Sequence, residues 1–594
     1  MRWQCCRGSA RPSFGSSAGV QNRDSKTHIQ EVIKMVGDAT PKSKNYGSGA
    51  VRVISARPPM KLFGALMLFA LVSQLVACEV PPDDTFVPEK AVKQLSEGQV
   101  TGITSPFDES ITVYRGLPYA APPIGDLRWR APEAPATWAG VRSADTFADS
   151  CYQPRHSSTF VWRREGFPVS EDCLYLNVWT SANGDKKPVM VWFHGGSHVS
   201  GQGHSLIFDG TSLAQRDVVV VTINYRLGPF GFLAHPWLSD EVSTKTQQGA
   251  SGNYGLMDKI AALHWVNRNI ASLGGDPDNV TIFGQSAGSQ SVCSLMTAPQ
   301  AQGLFHKAIG QSAACVNQLT KADANGYERG QALVEALDAT SIEGLRDAEP
   351  DALLEAMTVS DWESGSRIVI DGVVLPRWPD EVYAAGEQSK IPLMLGFLAN
   401  EGYELFPVDT AVTESELKGF LAYVAGDRAD ELAAQYDAEN MTPGELQHAI
   451  STDLFMAYGK RQWASYHADA GQETYLYFMN HVPPSFHIYM PDQPFLELED
   501  GPRSGGAYHS GDLAYVFGTL DKVGYDWNEA DRKVSVQIVD HWTQFAKTGN
   551  PNTAGSSDWQ AFNTEDLHTR VINETPKTVE GVRNTIMSIF SGAE

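Results

Sequence analysis

VTIFGQSAGSQSVCSLMTA, residues 280–298, starts as an apolar run, passes a turn between two glycines and continues in helical spacing. VTIFG (280–284) reads as a short buried strand, and AGSQSVCSLMTA as the helix that follows it. The junction spells Gly-x-Ser-x-Gly: Gly284, Gln285, Ser286, Ala287, Gly288. A serine between strand and helix sits where a tight turn can lift its hydroxyl above a sheet edge, and the glycines let the two elements approach. The string alone is weak, because Gly15, Ser16, Ser17, Ala18 and Gly19 spell it too. That copy lies in polar, aperiodic sequence with neither element beside it. Context selects Ser286 and discards Ser17.

Working outward, PVMVWFHGG (188–196) and DVVVVTINYR (217–226) are further buried strands, and HKAIGQSA (306–313) and PLMLGFLANEG (392–402) repeat the theme. Residues 255–275 show helical spacing with a glycine stop, and RKVSVQIVDHWTQFAKTG (532–549) is a late amphipathic helix. Residues 99–120 read as short strands joined by turns, a small N-terminal β meander. Strands alternating with helices define an α/β class: a mostly parallel central sheet, helices on both faces and long insertions. No linker divides residues 98–594, which read as one domain.

A serine hydroxyl needs a base, an acid to orient the base, and donors for an oxyanion. His194, in HGGSHVSG, opens a glycine-rich turn after a strand, where bare N–H groups can face a carbonyl oxygen. Glu401, in LANEG, follows a strand end. His509, in GGAYHSGDLAYVFG, lies between a glycine-rich loop and an apolar helix start. The order serine, acid, histidine is that of the α/β-hydrolase arrangement.

Formal net charge is −24, which excludes a nucleic-acid binder lacking a basic face. Residues 1–77 hold eleven Lys/Arg and three Asp/Glu, so the remaining chain has a net charge of −32. Residues 60–78, MKLFGALMLFALVSQLVAC, have a short positive start and an apolar stretch too short to span a bilayer comfortably. LVAC, ending at Cys78, resembles the lipobox of bacterial lipoproteins. That resemblance implies a signal peptide over 60–77, a lipidated Cys78, and residues 1–59 as a spurious upstream extension. Residues 78–97 are Pro- and charge-rich and read as a tether. The expected location is outside the cytoplasm, secreted or lipid-anchored in a bacterial envelope; Glu79 after the signal Cys favours the outer membrane. Cys151, Cys173, Cys293 and Cys315 remain, an even number that allows two disulfides in an oxidising compartment. No CxxC, HExxH or His/Cys cluster at metal spacing occurs, so neither metal nor cofactor is expected.

Eight segments in order carry a family resemblance: YRGLPYAAPPIGDLRW, SEDCLYLNVW, VWFHGGS, INYRLGPFGFL, GNYGLMDKIAALHWVNRNIASLGGDPDNVTIFGQSAG, ANEG, HSGDLAYVFG and WTQFAKTGNPN. The chain resembles the type-B carboxylesterases over roughly residues 98–560. The resemblance implies an α/β-hydrolase fold and ester hydrolysis through an acyl-enzyme. It implies Ser286 as nucleophile, Glu401 as acid and His509 as base, with backbone N–H groups of Gly196, Ser197 and Ala287 as oxyanion donors. It also implies a Cys151–Cys173 disulfide, a supporting Ser312, and ion pairs Arg128–Glu171 and Arg226–Asp258. A Cys293–Cys315 bond does not match the family's vertebrate pattern and is inferred from compartment and parity.

Three departures bear on specificity. Ser197 replaces the third glycine of the oxyanion loop and crowds bulky acyl groups. Gln285 stands where the family commonly has Glu and removes a negative charge. Arg163, beside Trp162, occupies the place of the cholinesterase choline-stacking Trp and repels a cation. Together they imply a general esterase for small to medium esters that disfavours choline. A lipase on longer chains and a non-catalytic adhesion or binding protein of the same fold are the alternatives.

Overall fold

The computed structural model describes residues 91–154, 168–182, 184–243, 249–316, 326–360, 362, 367–405, 408–484, 503, 505–523, 527–553 and 558–592. Its frame is an eleven-stranded sheet. In chain order the strands are β1 (Ile103–Ser105), β2 (Asp108–Pro118), β3 (Tyr175–Ser181), β4 (Lys187–Phe193), β5 (Val219–Ile223), β6 (Gly275–Gln285), β7 (Lys307–Gln311), β8 (Leu393–Leu398), β9 (Thr474–Met479), β10 (His568–Ile572) and β11 (Lys577–Glu580). Across the sheet they run β11-β10-β9-β8-β7-β6-β4-β5-β3-β2-β1. The stretch from β10 to β5 is parallel throughout, and antiparallel strands close both edges.

The apolar runs follow from burial on both faces. Along β4, Val189, Val191 and Phe193 enter one core, while Met190 and Trp192 enter the other. Side chains alternate along a strand, so a strand covered on both sides must be apolar at every position. One face is covered by α1 (Tyr254–Asn269), which buries Leu263 and Val266 in the first core. The other is covered by a late helix, Glu529–Thr548, whose Val534, Ile538, Trp542 and Phe545 enter the second core. Asn528 and Asp531 cap its start reciprocally, and Gly549, at φ 82°, ends it in the left-handed region. Between the layers, Trp192 packs on Phe208, Phe283 and Phe517 with centroids 5.1, 4.8 and 5.0 Å away.

Two local expectations change. Of the strands read as a small N-terminal meander, β1 and β2 join the edge of the large sheet. Gln99–Thr101 instead pairs with Lys93–Gln94 and Val141–Ser143 in a separate three-stranded sheet. The described structure therefore includes part of the segment read as a tether. Leu95 is buried there, and Ser96 N–H donates to Asn269 Oδ1 at 2.8 Å, tying the segment to the end of α1. The leader, Cys78, Trp162 and Arg163 lie outside the described residues.

Cys151–Cys173 and Cys293–Cys315 are both bonded, with Cα–Cα separations of 4.9 and 5.5 Å. Arg128 meets Glu171 at 2.5 Å, and Arg226 meets Asp258 at 2.7 Å with both side chains almost wholly buried.

Candidate active site

The C-terminal ends of the parallel strands supply the site, as the crossover geometry of an α/β sheet favours. At the end of β6, Ser286 takes φ 57° and ψ −125°. A side chain there is strained, and the surroundings hold it. Ser286 N–H donates to Gln311 O of β7 at 2.9 Å, and its carbonyl accepts Gln290 N–H at 2.9 Å from α2 (Ala287–Leu295). The glycines are required by proximity: a Cβ on Gly288 would lie 1.9 Å from Phe193 O, and one on Gly284 would lie 2.5 Å from the Gly288 carbonyl carbon. The strand–turn–helix reading of residues 280–298 therefore holds in detail.

Glu401 lies three residues past Leu398, the last residue of β8, and turns back to it. Leu398 N–H donates to Glu401 Oε1 at 2.7 Å, and His509 Nδ1 donates to Oε2 at 2.7 Å. Both side chains are fully buried. With Nδ1 carrying the proton toward the carboxylate, Nε2 of a neutral His509 is left as an acceptor. Nε2 is buried and has no partner among the described residues. Ser286 and His509 are thus not directly hydrogen-bonded in this geometry. They are joined through Gln285, whose Nε2 donates to His509 O at 2.8 Å.

Two further carboxylates, absent from the sequence-based set, surround His509. Glu404 accepts Ser510 N–H at 2.6 Å and Ser510 Oγ–H at 2.9 Å, fixing the residue after the histidine. Asp512 Oδ2 accepts Gln311 Nε2–H at 2.9 Å and Tyr477 O–H at 3.3 Å. Burial would lower the His509 pKa. The Glu401 hydrogen bond and the charges of Glu401, Glu404 and Asp512 outweigh it, so the pKa is raised. Burial, aided by the nearby Glu401 charge, pushes the Asp512 carboxyl up to about 7. The sequence signals were a second acid one turn after Glu401 and an acid three residues after His509.

Ser312 differs from expectation. Its N–H donates to Gly396 O at 2.9 Å, but its hydroxyl is buried without a partner among the described residues. The neighbouring Gln311 makes the link instead, because its side chain reaches Asp512 and its carbonyl holds Ser286.

The glycine-rich loop after β4 packs against the elbow. A Cβ on Gly195 would lie 2.9 Å from Gln285 O and 3.0 Å from Ser286 Cβ. Gly196 has φ 106°, and its carbonyl accepts Val199 N–H and Ser200 N–H at 2.9 and 3.0 Å. Ser197 follows at φ 52° and is exposed. This turn and Ala287, the first residue of α2, are thereby brought together around Ser286. Among the described residues, no group of three metal-ligating side chains assembles.

Two other histidines downstream of Ser286 are tied into the frame by polar contacts. His481 pairs with Asp531 at 2.7 Å, and His467 Nε2 donates to Ile391 O at 2.8 Å.

An elbow serine beside a histidine–carboxylate pair at the C-terminal edge of a parallel sheet defines the α/β-hydrolase class. The profile of the carboxylesterase family matches residues 89–589. The para-nitrobenzyl esterase of Bacillus subtilis is 34% identical over 490 residues, 80% of this chain and 93% of that protein. The fumonisin B1 esterase of Sphingopyxis macrogoltabida is 33% identical over 80% of this chain and 85% of its own. A solved carboxylesterase from Geobacillus stearothermophilus superposes with a TM-score of 0.72 at 31% identity, covering 84% of this chain and 99% of that one. The chain belongs to the carboxylesterase family and is a serine carboxylic-ester hydrolase.

Proposed function

We propose that Ser286, His509 and Glu401 form the catalytic triad, and that Gly196, Ser197 and Ala287 hold the oxyanion. The 2.7 Å Glu401–His509 pair, tied to the elbow through Gln285, carries this reading. Ser286 Oγ attacks the ester carbonyl carbon while His509 Nε2 takes the hydroxyl proton. Three backbone N–H groups receive the negative charge that develops on the carbonyl oxygen. Collapse breaks the bond to the alcohol oxygen, which leaves with the proton from His509. Water, deprotonated by His509, then attacks the acyl-enzyme, and the carboxylic acid departs as Ser286 recovers its proton. Glu401 orients the imidazole and stabilises its charged form in both halves.

The substrates in this proposal are small to medium esters, with choline esters disfavoured. Support comes from Ser197 beside the oxyanion position and from neutral, fully buried Gln285 next to the nucleophile. Ser286→Ala should lower p-nitrophenyl acetate turnover on the order of 10⁴-fold or more and abolish covalent labelling by an organophosphonate. Near wild-type turnover in that variant would remove the site. In the same assay, a rate that rises sharply with long-chain emulsified esters would replace the small-ester reading with a lipase.

An exported, lipid-anchored protein is proposed from the LVAC sequence at Cys78, and two disulfides suit an oxidising compartment. Cys78→Ser should release the mature protein from membranes. Retention in the membrane fraction would end the lipid-anchor reading.

A further inference from the structure

The oxyanion donors lie on two separate segments, the loop after β4 and the start of α2. Their N–H groups act together only if the spacing between the segments is fixed within a fraction of an ångström. The loop after β4 is held at its two ends, where Tyr225 O–H donates to His194 O at 2.7 Å and the Gln153 amide brackets Gly201 at 2.9 Å on both sides. It carries two consecutive non-glycine residues in the left-handed region, Ser197 at φ 52° and His198 at φ 58°. Such a pair persists only where neighbours over-determine it.

His198 supplies that restraint at three points. Its carbonyl accepts Gly228 N–H at 2.7 Å. Its ring packs on Phe232 with centroids 4.8 Å apart. Its Nε2 lies 3.0 Å from Oε1 of Gln290, on the first turn of the nucleophile helix. An amide oxygen only accepts, so Nε2–H is the donor and the ring is in one defined tautomer. Nδ1 is buried and unpartnered among the described residues, so the ring's other nitrogen does not compete for that proton. Burial first, then the nearby Lys259, lowers the His198 pKa and keeps the ring neutral.

We propose that His198 is a positioning residue for ester hydrolysis: its bond to Gln290 clamps the oxyanion loop to the nucleophile helix and aims the Ser197 N–H at the same point as the Ala287 N–H. The clamp rests on the reading of Gly196, Ser197 and Ala287 as oxyanion donors. A phenylalanine at 198 would fill the same pocket beside Phe232 but could not bond Gln290. The clamp therefore differs from simple filling of the pocket, and the two roles separate experimentally.

The test compares His198→Phe, Gln290→Met and the double variant with the parent, using p-nitrophenyl acetate and a trifluoromethyl ketone that forms a tetrahedral adduct on the serine. Misaiming one donor should lower kcat about ten- to a hundredfold, somewhat less than outright loss of a donor. KM should change less than about threefold, and the ketone should bind more weakly by the same factor as kcat falls. The double variant should be no worse than either single variant, because both remove one bond. Folded variants with parental kcat and ketone affinity, or a rise in KM alone, would overturn the clamp. If His198→Phe does not fold, Gln290→Met removes the same bond from the other side and decides it. An inactive Ser286→Ala alongside fully active His198→Phe and Gln290→Met would discard the clamp and leave the triad standing. An active Ser286→Ala would discard both.

Discussion

The two flanks of Ser286 are built from opposite chemistry. On the base side, three buried carboxylates, Glu401, Glu404 and Asp512, surround one histidine. On the proposed oxyanion side lie three buried nitrogen bases: His194 and His198 on the loop after β4, and Lys259 on α1. Burial dominates there: it pushes His194 down to about 3 and lowers His198 and Lys259 well below their ordinary values. Lys259 lies 3.0 Å from the centre of the Tyr225 ring, and Tyr225 O–H donates to His194 O at 2.7 Å. The base flank holds negative charge to stabilise an imidazolium. On the other flank burial disfavours the charged forms of these bases, which pack around the glycine-rich loop proposed to present its N–H groups to the substrate. In the proposed mechanism the difference places carboxylates around the protein's own group that becomes charged, and rigid dipoles where the substrate does.

Gln285 sits on the boundary, and changing it breaks the comparison most. Its amide donates to His509 O at 2.8 Å, which a carboxylate cannot do. Gln285→Glu therefore sets an acceptor against a carbonyl oxygen and adds a fourth negative group to the base flank. Leaving such buried acceptors facing each other costs about 1–3 kcal/mol, equivalent to roughly a 5- to 160-fold loss in kcat/KM if the displacement reaches His509. The added charge stabilises the imidazolium further, so the acid limb of the pH–rate profile should move to higher pH. Turnover of acetylcholine relative to its uncharged isostere 3,3-dimethylbutyl acetate should rise, because the cation gains a partner. An unchanged rate with an unchanged pH profile would show that Gln285 neither holds His509 nor tunes it.

How far the sequence reaches follows from the same contrast. The elbow is legible because close approach demands glycine at 284 and 288, and that demand shows as letters. Glu401 and His509 are legible by their places at a strand end and before a helix. Glu404 and Asp512 are not, since an isolated acid in a sequence looks solvated, and only the packing of β7, β8, β9 and the chain around Ser510 makes these acids buried neighbours of His509. Ser312 shows the reverse. Its letter fits a supporting hydroxyl, yet the backbone turn at φ 49° gives the contacts to Gln311 next door. Strand β9, TYLYFM, is hidden by its aromatic content and by its position directly after the helix Tyr458–Asp469. Leu95 is hidden by the prolines and charges before it. In each case burial created by distant chain segments decides the role, and one residue's neighbours in sequence do not encode it.

Asp512 gives the finer test. Its carboxyl is raised to about 7 by burial and by the Glu401 charge, so it gains its proton in the range where His509 must be neutral to act. Ionised Asp512 raises the His509 pKa. Removing that charge should therefore lower the pKa of the base, and the acid limb of kcat/KM should move to lower pH. Asn keeps an oxygen that can accept from Gln311 Nε2, so Asp512→Asn should leave the rate on the alkaline plateau within about fivefold. The groups titrate as a coupled set, so the limb reports the cluster as a whole. A limb that stays in place would show that Asp512 serves only to position Gln311 and Tyr477. A limb that moves up would contradict the sign of the base flank, and with it the division of charge between the two sides of Ser286.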